Sequence, residues 1–111
     1  IRKSILDQAV IGIRSRIGPG CQIRRSILMG ADYYETPFQQ EDNRKRQRPD
    51  IGIGEGTVIE DAIIDKNVRI GRNVVIRAAG KDRDMDGKNF YVRDGVVIIP
   101  KGSTISDGTV I

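Results

Sequence analysis

No histidine occurs in the 111 residues, and no tryptophan. The first absence removes imidazole general acid–base catalysis and histidine-ligated zinc together. The single cysteine, Cys21, cannot form an internal disulfide or a thiolate cluster for a metal, and a reducing compartment suits it. Aromatic residues make up only 5%, so there is no row of rings on which nucleobases could stack. Uninterrupted apolar runs are short, Val96–Ile99 and Ala62–Ile64 being examples. Neither approaches the roughly 20 residues a membrane-crossing helix needs. What is present fits one domain with a real core. Apolar residues are 38% and charged residues 31%, too apolar for a disordered chain and too polar for a membrane protein. A net charge of +4, from 19 basic and 15 acidic residues, raises the question of nucleic acid. The basic residues cluster only at Arg44, Lys45, Arg46 and Arg48, with no aromatics between them, which reads as a solvated loop. A chain that opens on Ile1 rather than Met is expected to be a fragment or a processed product, so the lack of a leader segment carries no weight.

Aliphatic residues recur every six positions. Ile5, Ile11, Ile17, Ile23 and Met29 form one run, and Ile53 and Ile59 a second. After a slip of one residue Ile64, Ile70 and Ile76 continue, and Ile99, Ile105 and Ile111 close the chain. Glycine follows the anchor at Gly12, Gly18, Gly54 and Gly71. Six is not a multiple of the helical 3.6, and turn residues interrupt the period-two alternation of a simple strand. A triangular parallel β-helix accounts for it, with three hexads, about eighteen residues, per coil. Anchors then point into the prism, Gly and Asn take the corners, and stacked coils bury a continuous aliphatic column. The expectation is all-β: one parallel β-helix of hexapeptide repeats over about residues 5–29, 53–76 and 97–111, with two inserted loops. The first insertion, about residues 30–50, holds Tyr33, Tyr34, Pro37, Pro49 and the basic cluster. The second, about residues 77–95, is charged and carries Lys-Asn and Asp-Gly turn signals.

Few residues suggest chemistry. Asp82, Asp84 and Asp86 have the opening spacing of a calcium loop, but Arg93 stands where the twelfth-position glutamate belongs. Gly52, Gly54 and Gly56 alternate as in a phosphate loop, yet no helix follows and hexad corners explain them more simply. Ser103 and Ser106 have no base partner, and Cys21 falls at a packing slot. What remains is positive charge for small anions: Lys66 after Asp65 in AIIDKN, and Lys101 in VVIIPKG. On spacing alone each is an ordinary exposed lysine. Unaided, these residues describe a scaffold or assembly module, with an anion site as the one further possibility.

Three segments carry a resemblance: LMGADYYE (Leu28–Glu35), IGIGEGTVIEDAIIDKNVRIGRNVVI (Ile51–Ile76) and FYVRDGVVIIPKGSTISDGTVI (Phe90–Ile111). Together they resemble the carboxyl-terminal domain of the glucose-1-phosphate adenylyltransferases, closer to the cyanobacterial and plant members than to the enteric ones. The resemblance implies a left-handed β-helix that helps assemble a homo- or heterotetramer with its own catalytic domain. It implies an allosteric anion site in which Lys66 and Lys101, with Asp65 beside the first, bind a phosphorylated effector such as 3-phosphoglycerate or fructose 1,6-bisphosphate. It implies that the whole enzyme makes ADP-glucose and pyrophosphate from ATP and glucose 1-phosphate, for glycogen or starch, in a bacterial cytoplasm or a plastid. ATP and Mg²⁺ belong to the catalytic domain. This chain is expected to bind no cofactor, metal, nucleic acid or membrane, and to be inactive alone. The alternatives are a purely structural β-helix and a hexapeptide acyltransferase; the latter class generally needs a histidine base. Three departures stand out, one being the varied stretch Ala78–Gly87. Thr36–Pro49 differs from the family's loop, and Pro100 replaces a more usual aliphatic residue, where it is expected to remove one ladder hydrogen bond.

Overall fold

Hexads of this kind close into a prism because each short strand ends at a residue that can turn the backbone sharply. A computed structural model describes residues 4–81 and 83–111 of the chain. The first coil holds β1 (Ile5–Asp7) and β2 (Val10–Ile11), and the second β3 (Gln22–Arg24) and β4 (Ile27–Leu28). A helix, α1 (Pro37–Lys45), then intervenes before β5 (Gly52–Ile53) completes that coil. The third coil is β6 (Val58–Glu60), β7 (Ala62–Ile64) and β8 (Arg69–Ile70). The fourth begins with β9 (Val75–Arg77), leaves for a hairpin of β10 (Met85–Gly87) and β11 (Phe90–Arg93), and finishes with β12 (Val96–Ile99) and β13 (Thr104–Ile105). Three sheets result, β1-β3-β6-β9, β10-β11-β12-β7-β4-β2 and β13-β8-β5. Among the described residues every strand pair between coils is parallel, and the antiparallel pairs are β10 with β11 and β11 with β12. No helix among the described residues is long and apolar enough to cross a membrane.

The column runs up the axis as Ile23, Ile59 and Ile76 on one face, Leu28, Ile64 and Ile99 on the next, and Ile53, Ile70 and Ile105 on the third; all nine are buried. The coil takes seventeen residues rather than eighteen, as the partners Ile5 with Gln22, Val10 with Ile27 and Ile53 with Ile70 require. The short step joins the first face to the second, where Arg25 and Asp61 take positive φ, 48° and 53°. This corrects two anchors. Leu6, not Ile5, pairs with Ile23. Leu28, not Met29, pairs with Ile64, and Met29 is 42% exposed. An even count of six overshoots by one residue at each short corner.

Both departures from the coil carry regular structure rather than plain loop. In the first, Thr36 caps α1: its hydroxyl accepts from Gln39 N while Gln39 Oε1 accepts from Thr36 N, with Pro37 in the first turn. In the second, Asp94 and Gly95 both have positive φ, 50° and 75°, the geometry of a tight hairpin turn between β11 and β12. β11 covers the edge of β12 and buries Val92 completely. It thereby closes a sheet edge that would otherwise present unpaired backbone.

Coil spacing leaves no room at some corners. A β-carbon on Gly54 would meet the carbonyl of Gly71 in the next coil. Gly54→Ala is therefore expected to destabilise by about 2 kcal/mol, lowering the melting temperature by roughly 10 °C. Thermal unfolding followed by circular dichroism checks this, and an unchanged transition would contradict the stacking.

Candidate anion site

The corner between the second and third faces gathers most of the residues singled out as candidates. After β7 the chain turns through Asp65, Lys66 and Asn67. Asp65 N donates to Ile99 O, and Asp65 Oδ1 accepts from Lys66 N at 2.6 Å. Asn67 takes φ of 59°, a left-handed conformation its short amide tolerates. One coil on, Pro100, Lys101 and Gly102 make the matching corner after β12. Gly102 N donates to Lys66 O at 3.1 Å and stacks the two. Lys66 and Lys101 are thus neighbours because the ladder places one corner on the other, although the hairpin separates them in sequence.

On the other side of Asn67 lies the start of the first insertion. Ala31 is buried, its N–H donating to Ile13 O and its carbonyl accepting from Arg14 Nε at 3.0 Å. Asp32 follows, exposed. Asn67 holds it twice, accepting from Asp32 N at 2.9 Å and donating from Nδ2 to Asp32 Oδ2 at 3.1 Å. Lys66 Nζ lies 3.3 Å from Asp32 Oδ1, and Lys101 Nζ 3.7 Å from Asp32 Oδ2. The hydrogen bond from Asn67, then that from Lys66, hold the Asp32 carboxyl below its ordinary range.

The structure therefore brings Lys66 and Lys101 onto the two oxygens of one carboxylate. Asp65 sits beside them with its carboxylate spent on the turn rather than on an ammonium. Asp32 is the member that sequence reasoning did not single out, although it lies inside MGADYYE. The half-exposed corner carries two cations and two carboxylates, of which only Asp32 pairs with the ammoniums. Each exposed pair contributes little to stability, about 0–1 kcal/mol, so the lysines stay available to a ligand. Lysine ammoniums act as point charges with rotatable donors, suited to anionic oxygens rather than to shape.

The other candidates are accounted for elsewhere. Asp82 lies outside the described residues. Asp84 accepts from Asp94 N, and Asp86 pairs with Arg93 at 2.6 Å. Among the described residues no three acidic or thiol side chains gather as a metal site. Three of the four basic residues face acids of α1: Arg44 pairs with Glu41, while Arg46 and, more distantly, Arg48 pair with Asp42. A groove of about 730 Å³ between this segment and the third face is lined by Arg16, Arg44, Arg48 and Arg72 together with Asp50, Glu55 and Asp107, so both signs of charge are mixed along it. Cys21 is buried, donating to Gly54 O, and burial pushes its thiol pKa up. The Ser106 hydroxyl lies 3.2 Å from Thr109 Oγ1. Pro100 falls one residue past β12, at the position where Met29 and Asp65 each donate N–H to a neighbouring coil, so it lacks a donor at the corner rather than within the strand. Gly52 and Gly54 bracket Ile53 on the third face, and Gly56 turns the next corner.

Compared with protein families, residues 1–110 match the family model described as the GLGC left-handed parallel beta-helix domain.

Proposed function

Since the chain belongs to the family of the GLGC left-handed parallel beta-helix domain, the C-terminal domain of the glucose-1-phosphate adenylyltransferases and so of a nucleotidyltransferase family, we propose that it is the assembly and allosteric domain of such an enzyme. In this reading the catalytic domain converts ATP and glucose 1-phosphate to ADP-glucose and pyrophosphate, with ATP and Mg²⁺ held there. The β-helix joins subunits into a tetramer and holds part of an anion site through Lys66 and Lys101, with Asp65 shaping the first corner. The effector is a small phosphorylated acid or sugar, 3-phosphoglycerate and fructose 1,6-bisphosphate being the first to try.

The observation that supports this best is the convergence of Lys66 and Lys101 on Asp32. Two cations in a solvated corner attract a phosphate only modestly, and salt screens them. Tight binding needs further donors from the adjoining domain. Activation is then a coupling free energy: the effector must bind the active arrangement of domains better than the inactive one.

The test joins this chain to a catalytic domain of the same family and measures ADP-glucose formation with and without each effector. Lys66→Ala and Lys101→Ala are each expected to raise the half-activating concentration about tenfold, the scale of one charge-assisted hydrogen bond, while basal activity holds. A tetrameric, active fusion indifferent to every effector would instead support the purely structural reading.

A further inference from the structure

We propose that Asp32 is a built-in competitor for the anion site, so that a ligand binds by exchanging with its carboxylate; this rests on the reading of Lys66 and Lys101 as that site. The geometry carries the idea. One carboxylate receives both ammoniums, at 3.3 and 3.7 Å. Neither lysine has another acidic partner within 4 Å among the described residues. Asp32 is not a passing surface contact. Its backbone N–H and one carboxylate oxygen are both fixed by Asn67, which the corner itself positions through Asn67 N to Gly30 O. Its span of exposed backbone is also short, pinned by buried Ala31 on one side and buried Glu35 on the other.

Exchange sets a threshold for binding, and the charge of the ligand decides which anions pass it. A carboxylate ligand replaces a carboxylate and gains no charge. A phosphoryl dianion replaces a monoanion and gains one, so it alone repays the displacement of Asp32. The site then selects phosphate esters over carboxylic acids without any contact that reads shape. Removing the Asp32 charge strengthens binding of every anion by a similar factor, because each has the same carboxylate to displace. One like charge a few ångströms away in a largely aqueous setting corresponds to about fivefold in affinity.

The experiment titrates the ¹⁵N-labelled chain with inorganic phosphate and, separately, acetate. The Asn67 side-chain amide reports the state of Asp32. Phosphate is expected to shift that signal in the wild type and to bind Asp32→Asn about fivefold more tightly. Acetate is expected to bind more weakly than phosphate to both proteins and to gain by a similar factor in the variant. Asp32→Ser should behave likewise, which separates loss of charge from an effect of the new amide. If both variants bind phosphate no better than the wild type while Lys66→Ala and Lys101→Ala weaken it, the anion site stands and the competitor role is overturned. If phosphate leaves Asn67 unmoved and binds no variant, the two-lysine reading falls and the proposal with it.

Discussion

Ile70→Asp is expected to abolish cooperative unfolding. Ile70 is 1% exposed and sits on the third face between Ile53 and Ile105 of the neighbouring coils. A carboxylate there would enter a column lined by aliphatic groups, with no donor among them. An ion transferred to such surroundings either stays charged at a cost of several kcal/mol or binds a proton to avoid it. A loss above about 4 kcal/mol is a large part of the 5–15 kcal/mol that holds a domain together. Repeat architecture makes this worse, because each coil is stabilised mainly by the coils it touches. The check is a thermal or urea transition. Ile70→Val is the control, expected to cost about 1 kcal/mol and to keep a single transition. The same aspartate at Val110, which is 75% exposed, should cost far less. A wild-type melting temperature for Ile70→Asp would mean that the column is misregistered.

That contrast marks how far the sequence could be read. The period of six is visible because inward positions admit only apolar side chains, and a strict spatial repeat imposes a strict spacing. Ile23, Ile59, Ile70 and Ile99 declare themselves in this way. The five-residue step shows only between Ile59 and Ile64; between Ile23 and Leu28 the run Ile27, Leu28, Met29 hides it, and Arg25, at positive φ, looks like an ordinary surface charge. Hence the overshoot at Ile5 and Met29. The helix α1 was legible in part: Thr36, Pro37 and Gln39 spell a helix start. Prolines at both ends of a short polar segment pointed instead to a loop. What holds α1 in place could not be read at all, because it depends on Arg69 from another coil. Asp32 stayed hidden for the same reason. It joins Lys66 and Lys101 only once the corners are stacked, and no local spacing encodes that meeting.

Glu35→Ala is the second large effect expected, and it acts on the insertion. Glu35 is buried, and three donors converge on it. Its Oε1 accepts from Ile51 N at 2.6 Å, while its Oε2 accepts from Asn43 Nδ2 at 2.7 Å and Arg69 Nη1 at 3.0 Å. Asn43, fully buried on α1, also donates to Asp50 Oδ1, and Arg69 to Pro49 O. One carboxylate therefore ties the helix, the return of the chain and the third coil together. Removing it strands a guanidinium and a backbone N–H, for which about 3 kcal/mol is the expected cost. The loss should be regional. Amide exchange within Pro37–Lys45 should quicken far more than in β6 or β7.

Acid offers an independent check. Burial pushes the Glu35 pKa up, but the hydrogen bonds from Asn43, Ile51 N and Arg69 outweigh it and hold the group below its ordinary value. A carboxyl with a depressed folded pKa contributes stability that is present above its unfolded pKa, about 4.3. That stability disappears as the pH falls through the folded value. The wild type should therefore lose stability below about pH 4 more steeply than Glu35→Ala, which lacks the group. Identical acid slopes would mean that Glu35 is not the tie. The consequence reaches the anion corner, because only Tyr33 and Tyr34 separate Glu35 from Asp32. With Glu35 released, Asp32 is pinned on one side alone, and its hold on Lys66 and Lys101 should loosen with it.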